Sequence, residues 1–404
     1  MRTLRELSPA ARLLVVNQFG INVGFYLVLP FLAGYLRDDL GYATAVVGLV
    51  LGVRTLAQQG LFLLGGTAAD RLDCRPVIVL GCALRVVAFG LLATVTALPG
   101  IVVAVTLTGL AGALFNPAVR TYLSHEAGGR RAEVFAVFGV AAHAGALVGP
   151  LLGTLLLAVD FRLAALVACG VFAVLTVAQV LVLPAQDVPR AERGVLGSWG
   201  EVLRNRRFLA FTLCGSAYFA LYHQLYLLLP LEAERVTGSA AAVGAVFVVS
   251  TVVGIALQIP ITAWCRARWS AGTAVAVGLT TMGAGFLPLL VAAPLTVAAA
   301  GWGAAVPVLA GTAVLTLGTA ITNPFTMQLL PVVGSERLVG TYYGAFYGVS
   351  AIVTAAVAAL VGALIDLPDA RSAPAAVLLG VGLAGALGVA VLQRRGLLAE
   401  EVRA

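Results

Sequence analysis

The chain has 404 residues, of which 61% are hydrophobic and 11% are charged. Soluble globular proteins carry about 45–50% apolar and about 25% charged residues, so this composition excludes a soluble globular protein and indicates one that lies largely in lipid. The formal net charge of +7 comes from 25 basic residues that are all arginine. They lie mostly between apolar stretches, so we interpret them as topology signals rather than as a nucleic-acid site.

Twelve apolar stretches are long enough to cross a membrane, which takes roughly 20 residues. In chain order the predicted spans are 13–36, 45–68, 76–98, 101–123, 134–158, 163–184, 208–230, 240–264, 271–293, 300–325, 339–365 and 374–393. The stretch near 300 is the weakest, because Pro294 and Pro307 interrupt it. The predicted fold class is an all-α membrane protein with twelve transmembrane helices.

The distribution of arginine predicts the orientation of the spans. With the N-terminus inside, nineteen arginines fall in cytoplasmic segments and four fall outside. Cytoplasmic segments of membrane proteins carry the excess of basic residues. We therefore expect a multi-pass protein of the bacterial inner membrane with both termini in the cytoplasm.

The longest charged interruption, residues 185–207, separates six predicted spans from six. We predict an N-terminal six-helix half over 1–184, a cytoplasmic linker over 185–207 and a C-terminal half over 208–404. Within the linker, Ser198 to Arg207 is predicted to form a short surface helix that a serine caps.

Three patterns recur in corresponding spans of the two halves. They are Tyr26-x3-Pro30 with Tyr226-x3-Pro230, Asn116-Pro117 with Asn323-Pro324, and Gly145-x3-Gly149-x3-Gly153 with Gly340-x3-Gly344-x3-Gly348. Such repeated halves place a substrate site near the middle of the bilayer and operate by alternating access. Glycine at every fourth position lets helix backbones approach closely, either to slide or to pack statically. Pro150 predicts a bend in the fifth span.

The loop after the second span carries a specific motif, Gly66-Thr-Ala-Ala-Asp70-Arg71-Leu-Asp73-Cys74-Arg75-Pro76. This loop resembles the signature of the major facilitator superfamily, and the resemblance covers essentially the whole chain. It implies a fold of two pseudo-symmetric six-helix halves.

In that family the aspartate and the first arginine help to latch the cytoplasmic side shut near the eleventh helix. By resemblance Asp70 and Arg71 take this role, Arg75 completes the gating motif, and Gly66 lets the helices touch. Asp73 stands where the family usually has glycine, and Cys74 where arginine is common. We therefore expect an altered charge balance at the latch.

The run Gly145, Gly149, Pro150 and Gly153 in the fifth span resembles the antiporter motif of proton-linked drug exporters in this family. Ala136 and Thr154 replace two further glycines of that motif. A second stretch, Gly52-x-Arg54-x3-Gln58-Gln59-Gly60 with Arg85 further on, is similar to bacterial multidrug exporters of the family. Their first helix carries an acid where this chain has Asn17.

Polar side chains inside spans are costly unless they face a partner or a cavity. The resemblance implies that the first, fourth, seventh and tenth helices line a central cavity. The predicted substrate-cavity residues are Asn17, Asn22, Tyr26, Arg54, Gln58, Asn116, Tyr222, His223, Tyr226 and Asn323. Tyr218, Tyr222 and Tyr226 share one helix face, which suits a lipophilic ligand and static packing about equally.

Two arginines lie deep in predicted spans. Arg54 and Arg85 are each roughly nine or more residues from either interface, or about 14 Å at 1.5 Å per residue. We predict that Arg54 lines the cavity or the gate. Arg85 falls on a helix that is peripheral in the family, so we predict a structural partner such as a backbone carbonyl.

No Asp or Glu falls in the middle of a predicted span, although exporters of organic cations usually hold one there. The proton-carrier candidates are therefore His143 and His223, because an unperturbed histidine pKa of about 6.5 suits a proton relay, and Asp70. For either histidine, a packed core position is the alternative.

Two transport functions fit these patterns. The first is proton-coupled efflux of lipophilic or amphipathic small molecules by alternating access. The second is a facilitator or symporter for an anionic or neutral metabolite that uses Arg54. Three scattered histidines and five scattered cysteines form no nucleophile–base pair and no metal cluster, so we expect neither an enzyme nor a metal. We also expect no cofactor, no nucleic-acid partner and a monomer whose partners are its substrate, protons and the lipid bilayer.

Overall fold

A computed structural model describes residues 7–157, 159–186, 194–292, 301–365 and 371–398. Within these ranges the regular structure is helical and no β-strand occurs, which confirms the predicted all-α class. Three sequence predictions fall outside the described ranges: the middle of the linker (187–193), the interruption at Pro294, and the start of the tenth span at residue 300.

Seven α-helices longer than three residues precede the predicted linker within the described ranges. They are α1 (Pro9–Val28), α2 (Thr44–Gly60), α3 (Phe62–Leu72), α4 (Cys74–Thr94), α5 (Leu98–Ala127), α6 (Arg131–Leu157) and α7 (Phe161–Val182). The first begins where sequence rules place a start, because Ser8 Oγ accepts a hydrogen bond from Ala11 N at 3.1 Å and Pro9 occupies the first turn.

Ten further helices follow. They are α8 (Val195–Arg204), α9 (Arg206–Gly215), α10 (Ala217–Tyr222), α11 (Leu228–Thr237), α12 (Ala240–Arg268), α13 (Ala271–Ala284), α14 (Leu287–Ala292), α15 (Val306–Val333), α16 (Val339–Ile365) and α17 (Ala373–Arg394). The predicted linker helix exists as α8, but it begins and ends three residues earlier than expected. It ends at Arg204 because the next residue, Asn205, caps α9 by accepting from Phe208 N at 2.9 Å.

Nine helical stretches within the described ranges are long and apolar enough to cross a membrane, and the bent pair Val46–Gly60 with Phe62–Leu72 makes a tenth. One of the nine, Leu98–Leu157, holds both the fourth and the fifth predicted spans, which Gly128–Arg130 separate. The seventh predicted span is not one continuous helix, because it is divided among α9, α10 and α11. The total of twelve spans remains a prediction.

The repeated Tyr-x3-Pro pattern marks an interrupted helix each time it occurs. α1 gives way at Val28 to the tight turn Leu29–Phe31. After α10, the turn His223–Leu225 precedes the start of α11 at Leu228. Proline has no N–H, so in each case the tyrosine carbonyl four residues earlier loses its helical partner. The missing bond favours an interruption near each of these prolines, although Pro117 and Pro150 lie inside continuous helices.

The chain divides into two compact units. The first contains 1–130, 137–202 and 335–348, and the second contains 131–136, 203–334 and 349–404. Each unit thus includes the first residues of a long helix whose remainder belongs to the other unit, namely α6 and α16. The first is called unit 1 and the second unit 2.

In unit 1 the glycines of α6 lie directly on the backbone of α1. A Cβ at Gly149 would lie 2.8 Å from Tyr26 Cβ and 2.9 Å from the Val23 carbonyl oxygen. A Cβ at Gly153 would lie 2.5 Å from the Leu27 carbonyl oxygen. These distances are too short for any side chain, so the glycines allow the close approach that their spacing predicted.

A tight turn between α3 and α4 depends on Asp73. This residue has φ 75° and ψ 150°, and among the described residues it is the one non-glycine with a positive φ. Its side chain accepts from Arg75 N at 3.3 Å and so caps α4. A left-handed backbone favours glycine, which is the residue that the family usually has here. Asp73 therefore serves the turn through its backbone and its cap.

The glycine contact predicts a difference between two alanine substitutions. Gly149→Ala should lower the free energy of unfolding by about 1–3 kcal/mol, because overpacking a tight contact costs that much. Gly170→Ala is the matched control in α7, because nothing lies within 4 Å of an added Cβ there, and it should raise stability by up to about 1 kcal/mol through helix propensity. Thermal unfolding of the purified protein measures both, and equal melting temperatures would contradict the packing.

The turn predicts an order of stability among variants at Asp73. Asp73→Ala loses the cap, which costs about 1 kcal/mol, and keeps the left-handed backbone. Asp73→Gly also loses the cap but relieves a strain of about 1–2 kcal/mol, so it should be at least as stable as wild type. Melting temperatures check this order, and an alanine variant more stable than the glycine variant would show that the turn is not strained.

Candidate functional site

The most strongly organised polar contact in unit 1 joins Asp70 to the start of α16. Asp70 Oδ1 accepts from Gly340 N at 2.6 Å, and Oδ2 accepts from Thr341 N and from Thr341 Oγ1, each at 2.6 Å. The first N–H groups of a helix have no partner inside it, and its N-terminus carries a partial positive charge. The carboxylate of Asp70 therefore caps α16 from a different part of the chain.

Glycines make this cap possible because the two backbones almost touch. A Cβ at Gly66 would overlap the Gly340 carbonyl, and a Cβ at Gly340 would lie 2.8 Å from Asp70 Oδ1. One turn further along α16, a Cβ at Gly344 would lie 2.9 Å from Leu63 Cα. The structure thus brings together Gly66 and Asp70 of the predicted gating motif with the Gly340 ladder. We call Gly66, Asp70, Gly340, Thr341 and Gly344 the latch.

The two arginines of the gating motif occupy different positions. Arg71 is half-buried in the last turn of α3, directly after Asp70. Arg75 Nη2 donates to the Val180 carbonyl at 2.8 Å, near the C-terminal end of α7. A cation is favourable at a helix C-terminus, so Arg75 fastens α4 to α7 and makes no contact of this kind with α16.

The linker helix α8 docks beside the latch. Trp199 Nε1 donates to Thr67 Oγ1 at 3.0 Å, and Thr67 donates to the Leu63 carbonyl at 2.8 Å. Thr67 Oγ1 lies 3.4 Å from Thr341 Oγ1, which itself binds Asp70. Sequence reasoning missed Trp199 and Thr341. The position of Thr341 directly after Gly340 was the one available signal.

Unit 2 contains an ion pair at the start of α6. Glu133, in the first turn of α6, pairs with Arg266 in the last turn of α12. An acid is favourable in the first turn of a helix and a base in the last. This pair was not predicted, because nothing in the spacing of residues 133 and 266 connects them.

The predicted cavity residues of α1 have different environments. Asn22 Nδ2 donates to the Ala142 carbonyl of α6 at 3.2 Å, next to the half-buried His143. Tyr26 is half-buried against Gly149. Asn17 is 0% exposed, and its place on the wall of the substrate cavity remains a prediction. Its face of α1 packs on α7, where Gly20 and Gly24 meet Leu175 and Phe172.

Arg54 and Gln58 of α2 form a bonded pair, in which Arg54 Nη2 donates to Gln58 Oε1 at 2.8 Å. The Arg54 guanidinium also lies 4.8 Å from the centre of the Phe25 ring, a favourable cation–π distance. Both side chains are half-buried. They therefore stay partly accessible, as the cavity prediction requires.

Asn116 is bonded to Arg120, four residues further along α5. Asn116 Nδ2 donates to the Gly112 carbonyl at 2.8 Å, and Arg120 Nη1 donates to the Asn116 carbonyl at 2.9 Å. Arg120 also stands over the rings of Phe138 and Tyr347, at 5.7 Å and 5.1 Å from their centres. Sequence analysis did not single out Arg120, because it was considered only together with the other arginines, as a signal of membrane orientation.

Arg85 is 5% exposed and is bounded by aromatic rings. Its Nη1 donates to the Gly81 carbonyl at 3.4 Å, and its guanidinium lies 4.9 Å from the Phe115 ring centre and 5.8 Å from that of Phe172. These contacts match the structural partner that was predicted for Arg85, and they distinguish it from the more accessible Arg54.

In unit 2 the tyrosine stripe of the seventh predicted span forms a continuous stack. The rings of Tyr218 and Tyr222 are parallel at 6.0 Å, and those of Tyr222 and Tyr226 meet edge-on at 5.9 Å. Next to the stripe, His223 is exposed in the interrupted part of the helix, whereas Asn323 is half-buried in α15. The shared face of the three tyrosines is confirmed. A ligand for it remains a prediction.

The same fold occurs in solved structures of transporters. The human organic anion transporter TETRAN superposes with a TM-score of 0.73 at 18% identity, over 94% of this chain and 99% of that one. A peptide transporter of the POT type superposes with a TM-score of 0.70 at 16% identity, over 95% and 94% of the two chains. These similarities establish the fold.

Comparison of sequences identifies the family. An uncharacterized MFS-type transporter of Mycobacterium tuberculosis is 43% identical over 347 residues, which cover 84% of this chain and 82% of that protein. The multidrug resistance protein MdtH of Aeromonas hydrophila is 31% identical over 273 residues, or 67% and 69% of the two chains, which confirms the expected resemblance to bacterial multidrug exporters. The profile of the Major Facilitator Superfamily matches residues 14–358. The chain is therefore a multi-pass membrane protein that belongs to the Major Facilitator Superfamily of transporters.

Proposed function

We propose that this transporter exports lipophilic or amphipathic small molecules from the bacterial cell in exchange for protons, by alternating access. The main structural support for the proposal is the Asp70 cap on α16. This contact is strong enough to favour a closed conformation, and its hydrogen bonds can be replaced by bonds to water when the helices separate. Membership of the Major Facilitator Superfamily and the similarity to MdtH over two thirds of the chain support it. The proposal includes a monomer in the inner membrane, two halves joined by the 185–207 linker, and cytoplasmic termini.

Alternating access requires a closed state that is favoured but reversible. Hydrogen bonds to a charged group each contribute about 1.5–3 kcal/mol, and Asp70 accepts three at 2.6 Å. Water can replace these bonds when the helices separate, whereas an apolar contact of similar strength would leave exposed hydrocarbon. The latch is thus suited to a gate that opens and closes.

The close contact between α6 and α1 gives a surface along which helices can move. Gly145, Gly149 and Gly153 present no side chains to α1, so a small shift meets little steric resistance. Asn22 links the two helices through one hydrogen bond to Ala142, which a shift would break at modest cost. We assign these antiporter-motif residues to the movement of the fifth span during exchange.

The proton carrier is proposed to be one of three residues. His143 is half-buried on α6 beside the carbonyl that binds Asn22. His223 is exposed next to the tyrosine stripe. Asp70 is the third candidate, because protonation would remove the charge that holds the N-terminus of α16.

The alternative function is a facilitator or symporter for an anionic or neutral metabolite. Arg54 favours it, because this half-buried cation is bonded to a neutral amide and a ring. Flux that does not depend on a proton gradient would identify this second function.

The latch predicts that Asp70→Asn impairs transport while membrane insertion stays intact. An amide loses the charge that interacts with the N-terminus of α16, and a loss of about 2 kcal/mol would shift the balance between closed and open states roughly 30-fold. Transport assays and the yield of folded protein by size exclusion measure the two effects. Asp38→Asn is the control, because Asp38 is exposed and pairs with its neighbour Arg37. Wild-type rates from folded Asp70→Asn protein would refute the latch.

Proton coupling is tested in liposomes that contain a luminal pH dye. With an imposed proton gradient, lipophilic or amphipathic compounds, supplied as a panel of cations, neutral drugs and organic acids, should produce a dye response that His143→Ala or His223→Ala abolishes. A loss in one variant alone identifies that histidine as the carrier. Flux of a labelled anion without proton movement, dependent on Arg54, would instead establish the facilitator.

A further inference from the structure

A row of polar side chains runs between α2 and α5 inside unit 1. It starts with Arg54, which donates to Gln58 at 2.8 Å. The Gln58 amide lies beside Gly112, where an added Cβ would be 3.1 Å from Nε2. Asn116 donates to the Gly112 carbonyl at 2.8 Å, and Arg120 donates to Asn116 Oδ1 at 3.2 Å. The row therefore begins and ends with a cation and carries two amides between them.

Neither cation of this row has a carboxylate partner among the described residues. Arg54 is bonded to an amide and a phenyl ring, and its Nε is buried with no hydrogen-bond partner. Arg120 is bonded to Asn116 and lies over Phe138 and Tyr347. A cation inside a membrane protein is costly unless it is paired, and such residues commonly mark a ligand pathway. The missing counter-charge is thus one that a ligand could supply.

The side chains of the row are partly exposed, and the row extends along α5. All four side chains, Arg54, Gln58, Asn116 and Arg120, are half-buried. The Arg54 backbone lies level with Gly109, because a Cβ there would be 2.5 Å from the Arg54 carbonyl oxygen. Arg120 is eleven residues further along α5, or about 16 Å along the helix axis at 1.5 Å per residue. The two arginines are therefore well separated along the helix axis, with two amide side chains between them.

We propose that this row binds the acidic group of the transported compound, and that the substrates are amphipathic organic acids. A carboxylate or sulfonate would accept paired N–H bonds from Arg54 or from Arg120, the geometry in which arginine binds such groups best. Phe25 and Phe138 beside the two arginines offer contacts for the apolar part. Gln58 and Asn116 would donate to the acidic group as it passes from one arginine to the other. The inference rests on the proposed function, because it specifies which amphipathic compounds are carried.

The test compares two probes with the same fluorophore and alkyl chain, 11-(dansylamino)undecanoic acid, which carries a negative charge, and its neutral methyl ester. Binding to the full chain in lipid nanodiscs is followed by dansyl fluorescence. The acid should bind at least roughly tenfold more tightly than the ester, because one charge-assisted hydrogen bond is sufficient for that ratio. Equal affinities for acid and ester would overturn the proposal without any variant.

Variants then locate the site. Arg54→Gln and Arg120→Gln should each weaken binding of the acid roughly tenfold and leave the ester unchanged. Arg54→Lys should retain part of the preference, because lysine keeps the charge and loses the paired geometry. Arg85→Gln is the matched control, a buried arginine that also lies on phenyl rings but outside the row, and it should keep the acid preference. An acid preference that persists in both glutamine variants would overturn the assignment.

A transport assay distinguishes failure of this inference from failure of the proposed export function. Liposomes with an imposed proton gradient receive each probe in turn. Tighter binding of the acid that disappears in the arginine variants supports the proposed binding row, even if neither probe is exported. Absence of export would then contradict only the proposed export function. Export of the ester with no preference for the acid, in binding or in flux, would contradict the proposal that the row binds acidic groups. It would leave the proposed export function unaffected.

Discussion

The structure of unit 1 depends on one carboxylate placed against one helix start. Asp70 reaches Gly340 and Thr341 with three short hydrogen bonds, and this is possible only because the helices lack side chains where they cross. Gly66 and Gly344 present no side chains that would keep the two helices apart. The turn at Asp73 ends α3 at Leu72, two residues after Asp70. None of these residue types is unusual by itself in a helical membrane protein. Together they place a carboxyl group on the positive end of a 27-residue helix.

Much of this arrangement could be predicted from the sequence. The spacing from Gly66 to Asp70 and the glycine repeats in the fifth and eleventh spans pointed to helices in contact, and all of these glycines except Gly348 do lie on neighbouring backbones. The depth of Arg85 predicted a structural partner, which its contacts with Gly81 and Phe115 match. These predictions succeeded because helical periodicity and the cost of polar groups in lipid act locally along the chain.

Other features could not be predicted because they depend on contacts between distant residues. Nothing near Trp199 indicates that its indole reaches Thr67, and nothing near Arg120 indicates the ring of Tyr347. Arg75 belongs to the gating motif by spacing, yet its partner is a carbonyl of α7. Asp73 was expected to alter charge at the latch, whereas its backbone angle is what distinguishes it. The seventh span was predicted as one helix because its apolar content masks the breaks at Ser216 and after Tyr222.

The docking of α8 has a consequence for how this protein can be observed. The chain has four tryptophans; Trp264 and Trp269 lie against each other with ring centres 4.9 Å apart, and Trp302 is 54% exposed. Trp199 alone donates its indole N–H to Thr67, a residue that touches the partner of Asp70. Opening of the latch would change the polarity around that indole. Once the other three tryptophans are replaced, its emission wavelength should therefore report, without an attached label, whether the contact between Asp70 and α16 is intact.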